Sequence, residues 1–323
     1  MDFKYKRGDE RADLLADVSE MYYEDNLTQA EIARSIGLTR SAVSRILTEA
    51  RQKGIVEIRV RRPIRFDEEL SAALVERFGL KSAHVLIGRQ KQDYAHLRAQ
   101  LGEAAARVLE TVLQADSSFG IAWGTTVSAT VDALEELDLA ASRVVQLVGV
   151  LGSDSHALNA QALVERMARK VGGKSFFLYS PFIVQDAETA HALLSNDEVR
   201  QTIEAGRRCD VALLGIGATD PDYCSLYQSG HISLKELEVM QAAGAIGDVC
   251  AQYFDIHGVT CDLDFHNRLV GVTVDDLMHI PIRLGVAGGE AKAQAIAGAL
   301  LGGQVNVLVT DNYTAALILG LHP

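Results

Sequence analysis

The stretch Phe119-Gly120-Ile121-Ala122-Trp123-Gly124-Thr125-Thr126-Val127 passes from an apolar run, through a Gly-Thr-Thr turn, into a helical pattern that continues to Leu137. A strand that is apolar at successive positions is one buried on both faces, as in a parallel sheet. The turn after it presents backbone N–H groups and two hydroxyls at a helix N-terminus, where the helix dipole favours an anion. The turn lacks the lysine of a P-loop and the spacing of GxGxxG, so it does not specify a nucleotide.

The same texture recurs on both sides. Apolar runs at 85–87, 144–151, 176–180, 211–216, 280–286 and 305–310 alternate with helical patterns at 95–113, 160–171, 187–205, 290–301 and 313–319. That alternation predicts an α/β fold: a doubly wound, mostly parallel sheet covered by helices on both faces.

Two further strand ends resemble the first. Gly285-Val286-Ala287-Gly288-Gly289-Glu290-Ala291-Lys292 again runs from a strand through glycines into a helix, and Lys292 on its first turn suits a phosphate. Val309-Thr310-Asp311-Asn312-Tyr313-Thr314 closes a strand on Asp311, a carboxylate suited to sugar hydroxyls. Ligands of open α/β sheets gather at the carboxyl ends of the strands. Gly124, Thr125, Thr126, Gly288, Gly289, Lys292 and Asp311 therefore predict a pocket for a small phosphorylated sugar or polyol. Each loop alone reads as an ordinary tight βα turn; their combination carries the expectation. Gln146 lies inside the run 144–149, where a polar side chain needs a partner, either a ligand or a neighbouring loop. Asp255 and His257, in Tyr253-Phe254-Asp255-Ile256-His257-Gly258, either line a pocket or cap a turn.

The N-terminal part reads differently. Helical patterns cover 10–24, 28–35 and 39–53, with Thr28 and Glu31 spaced as a capping box and Thr39 as a second N-cap. Gly37 sits at the bend between the last two. Ile32, Ile36, Leu38, Val43 and Ile46 form the apolar contact between them, and Ala33 allows a close crossing. This is the layout of a helix-turn-helix. Thr28, Gln29, Thr39, Arg40, Ser41, Ser44 and Arg45 are left to face DNA, arginine being the usual bidentate partner of guanine. The alternating run 55–60 predicts a wing-like strand, with Arg59, Arg61 and Arg62 against the flanking phosphates.

Charge agrees with that division. The 323-residue chain has a net charge of −12, yet residues 34–62 hold eight Lys/Arg against Glu49 and Glu57. Residues 1–62 hold twelve bases and eleven acids, which leaves −13 on the remaining 261 residues. A basic patch on an acidic body binds a duplex through one face only. The expected organisation is a DNA-binding domain over 1–62, a linker helix within 63–80 and an effector and oligomerisation domain over 81–323. The absence of an apolar span and of a signal peptide, with four cysteines in no CxxC pair, reads as a soluble cytoplasmic protein without a metal site. No cofactor is called for.

Taken together, several motifs resemble the SorC/DeoR family of sugar-responsive transcriptional regulators. They are Leu27-Thr28-Gln29-Ala30-Glu31-Ile32-Ala33, the Trp-Gly-Thr-Thr turn at 123–126, Asp210-Val211-Ala212-Leu213-Leu214-Gly215-Ile216-Gly217, Gly247-Asp248-Val249 leading to Asp255, Ala287-Gly288-Gly289 with Lys292, and the run from Val305 to Asp311. The resemblance covers nearly the whole chain. It implies an effector domain related in fold to sugar-phosphate isomerases, and dimers or tetramers on operator DNA, acting as a repressor or as an activator. It also implies a phosphate held by Gly124, Thr125 and Thr126, with Gly288, Gly289 and Lys292 lining the same pocket. The rival reading is a sugar-phosphate isomerase- or deaminase-like enzyme with a DNA-binding appendage. Its general base would be Asp255, His257 or Asp311. No tight acid–base pair stands out, so a regulator rather than an enzyme is expected.

Overall fold

The computed structural model describes residues 9–56, 63–88, 93–152 and 159–320. The chain divides into two compact units, Met1–Pro63 and Ile64–Pro323.

The smaller unit contains α1 (Asp9–Tyr23), α2 (Gln29–Ile36) and α3 (Arg40–Gln52). Thr28 and Glu31 form the expected capping box, with the Thr28 amide donating to the Glu31 carboxylate at 2.8 Å. Gly37, with φ 70°, ends α2 in the left-handed region. Thr39 then caps α3, its hydroxyl accepting the Ala42 amide at 3.2 Å. Each helix contributes an apolar stripe, and Leu15, Val18, Ile32, Ala33, Val43, Ile46, Leu47 and Ala50 are all buried together. Leu38 departs from expectation: it is 40% exposed, because the turn directs it outward ahead of α3. The expected strand over 55–60 runs into residues 57–62, which lie outside the described residues, as do Arg59, Arg61 and Arg62.

The larger unit begins with α4 (Glu68–Phe78), β1 (Ser82–Leu86), α5 (Tyr94–Val112), β2 (Ser118–Ile121) and α6 (Thr125–Ala133). It continues with β3 (Arg143–Gln146), α7 (Ala160–Val171), β4 (Lys174–Phe176), α8 (Ala187–Leu194), α9 (Asp197–Arg207) and β5 (Val211–Gly215). Next come β6 (Gly217–Ala218), α10 (Ser225–Gln228), α11 (Leu234–Ala242), β7 (Gly247–Val249), β8 (Gln252–Phe254) and α12 (Val274–Met278). The unit closes with β9 (Ile282–Val286), α13 (Ala293–Leu301), β10 (Val307–Asp311) and α14 (Asn312–Gly320).

Seven strands form one sheet in the order β1-β10-β9-β5-β2-β3-β4, and every pairing within it is parallel. The central strands are apolar and buried along almost their whole length, as a sheet covered on both faces requires. A second, antiparallel sheet, β6-β7-β8, grows out of the chain just after β5. The expected helix over 187–205 is two helices. Asn196 breaks it, because its side chain accepts the Glu198 and Val199 amides and so caps α9. Residues 217–279 carry short elements that the periodicity did not mark. Two of their helices nevertheless announce themselves by capping boxes, Ser233 with Glu236 and Thr273 with Asp276.

Candidate functional site

The strand order decides which loops meet. β9, β5 and β2 are neighbours at the centre of the sheet, so the loops leaving their carboxyl ends converge. They enclose a cleft of about 40 Å³ whose lining includes Gly124, Thr125, Thr126, Ile216, Asp248 and Lys292, with Trp123, Ser225 and Cys250 completing the wall. That volume is room for a few water molecules, at roughly 10–15 Å³ each.

Two helix starts that line this cleft, those of α6 and α10, lack a side-chain cap, as does the 3₁₀ turn that ends on Lys292. Gly124 occupies the N-cap of α6 with φ 140°, a conformation that excludes a side chain, and no side chain accepts a bond from the first turn. Gly289 likewise stands uncapped before the 3₁₀ turn that carries Lys292 into α13. By contrast α2, α3, α4, α5, α7, α8, α9, α11 and α12 are all capped by Ser, Thr, Asn or Asp side chains. An uncapped N-terminus beside a buried cation leaves backbone amides and positive charge available to an anion.

Lys292 is buried, and its ammonium donates to the Ile216 carbonyl at 2.8 Å. Thr126 is buried too, and its hydroxyl donates to the Val286 carbonyl at 2.7 Å, tying β9 to α6. Thr125 is half-buried and lines the cleft. Asp248 went unnoticed as a site residue in the sequence. β7 brings it against Gly217 so closely that a Cβ there would stand 1.9 Å from its Oδ1. Burial raises its carboxyl to about 6, against the opposing pull of the Ala251 amide and the Lys292 charge. The clue was Gly215-Ile216-Gly217, two glycines flanking a strand end, but the partner carboxylate lies thirty-one residues on and only the hairpin fold brings it back.

That carboxyl predicts a pH effect. A group that holds its proton more tightly folded than unfolded stabilises the fold less as pH climbs from about 4 to about 6, and no further above that. Asp248→Asn should therefore raise Tm at pH 7.5, by the equivalent of about 3 kcal/mol at most, and change it little at pH 4. Equal Tm shifts at both pH values in a thermal melt would contradict this.

The hairpin tip beside Asp248 is strained. Cys250 and Ala251 link β7 to β8 at φ 53° and 57°, the left-handed pair of a two-residue turn. The Ala251 amide donates to Asp248 Oδ2 at 2.9 Å and holds the turn. Ala251→Gly should stabilise the protein by about 1 kcal/mol, read as a higher Tm; a lower Tm would show that the turn is unstrained.

Other expected residues lie elsewhere. Gln146, on β3, is buried and satisfied by protein: its amide donates to the Val148 carbonyl at 2.7 Å and its oxygen accepts the Leu178 amide at 3.3 Å. Asp255 caps its own turn, accepting the His257 and Val259 amides at 2.9 Å, and its backbone packs on α13. His257 is exposed on that turn. Asp311, on β10, does not line the cleft. Its Oδ1 accepts the Tyr313 and Thr314 amides, and its Oδ2 accepts the Gly289 amide at 3.0 Å and the Thr314 hydroxyl at 2.5 Å. Gly288 and Gly289 pack against Leu101, Asp311 and Tyr94 and shape the loop that delivers Lys292.

A larger groove of about 680 Å³, lined by Arg143, Arg200 and Arg208 among others, reaches the first residues of β2 and β3. Arg200 and Arg208 are paired there with Asp197 and Glu204. It offers surface arginines, without helix N-termini or a buried cation, and is the weaker ligand site despite its size.

On the smaller unit, Thr28, Thr39, Arg40, Ser41, Ser44 and Arg45 are exposed and Gln29 is half-buried. Arg40 and Arg45 make no ion pair among the described residues. Glu49, one of only two acids in 34–62, is neutralised by Arg11 and by Lys53 at 2.9 Å. The start of α3 is thus a cationic, hydroxyl-rich ridge.

Residues 62–320 match the family model described as "Putative sugar-binding domain". Residues 12–69 match a Crp-like helix-turn-helix domain. The transcriptional regulator LsrR of Escherichia coli (strain SMS-3-5 / SECEC) is 36% identical over 314 residues, 94% of each chain. The chain belongs to the SorC/DeoR family of sugar-responsive transcriptional regulators. The Deoxyribonucleoside regulator of Bacillus subtilis (strain 168) is 28% identical over 306 residues, 95% of this chain and 97% of that one. The full-length sorbitol operon regulator SorC from Klebsiella pneumoniae superposes with a TM-score of 0.72 at 26% identity, covering 95% of this chain and 99% of that one. As a SorC/DeoR-family member the chain is a DNA-binding regulator with a sugar-type effector, not an enzyme. Of the three bases expected for the rival enzyme, Asp255 and Asp311 are engaged by their own loops, and His257 is exposed on its turn. Among the described residues no helix is long and apolar enough to cross a membrane.

Proposed function

We propose that this regulator binds a small phosphorylated sugar or polyol in the cleft at the carboxyl ends of β2, β5 and β9, and that the ligand sets its affinity for operator DNA. The supporting observation is the uncapped α6 N-terminus sharing one cleft with the buried Lys292 ammonium. The phosphate takes the first-turn amides of α6, the Thr125 hydroxyl and Lys292. Asp248 accepts hydroxyls from the sugar. The names of the relatives, a deoxyribonucleoside regulator and a sorbitol operon regulator, favour a pentose or polyol skeleton.

Operator reading falls to Arg40, Ser41, Ser44 and Arg45 at the start of α3, with Thr28, Gln29 and Thr39 against the backbone. Each chain holds one helix-turn-helix, and a palindromic operator presents half-sites about one duplex turn apart, so the protein acts as a dimer or tetramer. A ligand that favours the matching spacing strengthens operator binding, and one that favours another spacing releases it, by no more than its differential affinity.

A thermal-shift panel of pentoses, hexoses and polyols, each with and without phosphate, tests the ligand class. At a hundredfold excess over Kd a ligand adds about 2.7 kcal/mol. The phosphorylated members should raise Tm by several degrees and the free sugars should not. Equal shifts from both forms would overturn the phosphate reading.

A further inference from the structure

Asp311 lost its expected role as a ligand contact, and its surroundings give it another. Its carboxylate holds the Gly289 amide, in the loop that positions Lys292. Its backbone lies opposite Leu86 in the β10–β1 register. Leu86 is bridged on its other side by Phe66, antiparallel. The Asp67 amide donates to the Val85 carbonyl at 2.8 Å and the Ile87 amide to the Arg65 carbonyl at 3.0 Å. Residues 65–67 thus form a strap along the β1 edge of the sheet, anchored by the Phe66 ring edge-on to His84 at 5.5 Å. The strap is the first piece of the large unit after the helix-turn-helix unit in the chain.

We infer that the transverse row Gly289–Asp311–Leu86–Phe66 couples the effector cleft to the strap, with Asp311 and Phe66 as the positioning residues that pass ligand-driven movement of the Lys292 loop to the linker. The inference rests on the cleft being the effector site. The physical ground is continuity. Every link in the row is a hydrogen bond or a backbone pairing of named length or register, and energetic coupling between sites is carried by contiguous networks of this kind. The cleft, at about 40 Å³, is small beside a sugar phosphate, and Lys292, which that loop delivers, forms part of its wall. A second tie, from the Gly88 amide to Asn312 Oδ1 at 2.8 Å, fixes the end of β1 to the start of α14 beside Asp311.

Coupling is reciprocal, so the row can be tested from both ends without ligand or DNA. Amide hydrogen exchange is followed on the full chain. Asp311→Asn should speed exchange at the Asp67 and Ile87 amides at least tenfold. Phe66→Ala should speed it at the Gly289 amide, on the far side of β1 and β10. Val164→Ala in α7, beside the opposite edge of the sheet, serves as the control for general loss of stability and should leave the strap amides at wild-type rates. If Asp311→Asn fails to fold, Thr314→Val, which removes one acceptor from Gly289 and one donor to Asp311, takes its place with the same expectation. Effects confined to the mutated end, or equal acceleration by the α7 control, would overturn the inference. Because no ligand is present, that result would leave the sugar-phosphate reading untouched. Failure of the ligand panel would in turn leave these rates unexplained by binding.

Discussion

Lys292→Met should lower effector affinity by about a hundredfold or more while the operator affinity of the protein without effector changes less than about threefold. A charge-assisted bond to phosphate contributes about 1.5–3 kcal/mol, and each 1.4 kcal/mol is a tenfold change in affinity. The remainder comes from lost Coulombic attraction in a cleft where Lys292 as a whole is 8% exposed. Methionine keeps the length and apolar stem of the side chain, so packing against the 3₁₀ turn survives. The Ile216 carbonyl loses its donor. That costs about 1–3 kcal/mol, offset in part because a buried charge is removed with it. A modest fall in Tm with complete loss of the ligand-induced Tm shift is the expected pattern. An unchanged effector midpoint in an operator-binding titration would remove Lys292 from the site.

Arg40→Ala and Arg45→Ala should each weaken operator binding by about tenfold to a hundredfold with Tm unchanged. A bidentate arginine–guanine pair is worth about 1–3 kcal/mol of discrimination. Both side chains are exposed and make no ion pair among the described residues, so the fold does not depend on them. The two modes of contact separate by salt. A base-reading arginine, when lost, relaxes sequence preference at one position. A phosphate-contacting one weakens all sequences alike and lowers the salt slope by about one. Fluorescence anisotropy on operator and scrambled duplexes at several salt concentrations distinguishes them. Wild-type affinity in both variants would mean that α3 is not the reading helix.

Much of this was written in local sequence. The capping residues Thr28 and Thr39, the turn at Gly37 and the alternation of apolar runs with helical patterns each act within a few residues, so the helix-turn-helix and the parallel sheet could be read directly. The Gly-Thr-Thr turn and the Lys292 loop were legible for the same reason. Which of the loops would meet was not, because strand order is a property of the whole sheet. Had β3 or β10 stood between β2 and β9, Gln146 or Asp311 would have faced the ligand. Instead β5 does, and it brings Ile216, Gly217 and, through the hairpin, Asp248. Leu38 shows the converse limit: an apolar residue at a turn obeys the turn's direction before it obeys hydrophobicity.

The central claim is that the cleft shared by Thr125 and Lys292 holds the effector's phosphate. The most direct measurement is a crystal structure of the protein grown with whichever panel member raises Tm most. The phosphate oxygens should lie within about 3.2 Å of the Lys292 ammonium and the first-turn amides of α6. A ligand seated instead in the groove lined by Arg143, Arg200 and Arg208 would contradict the account.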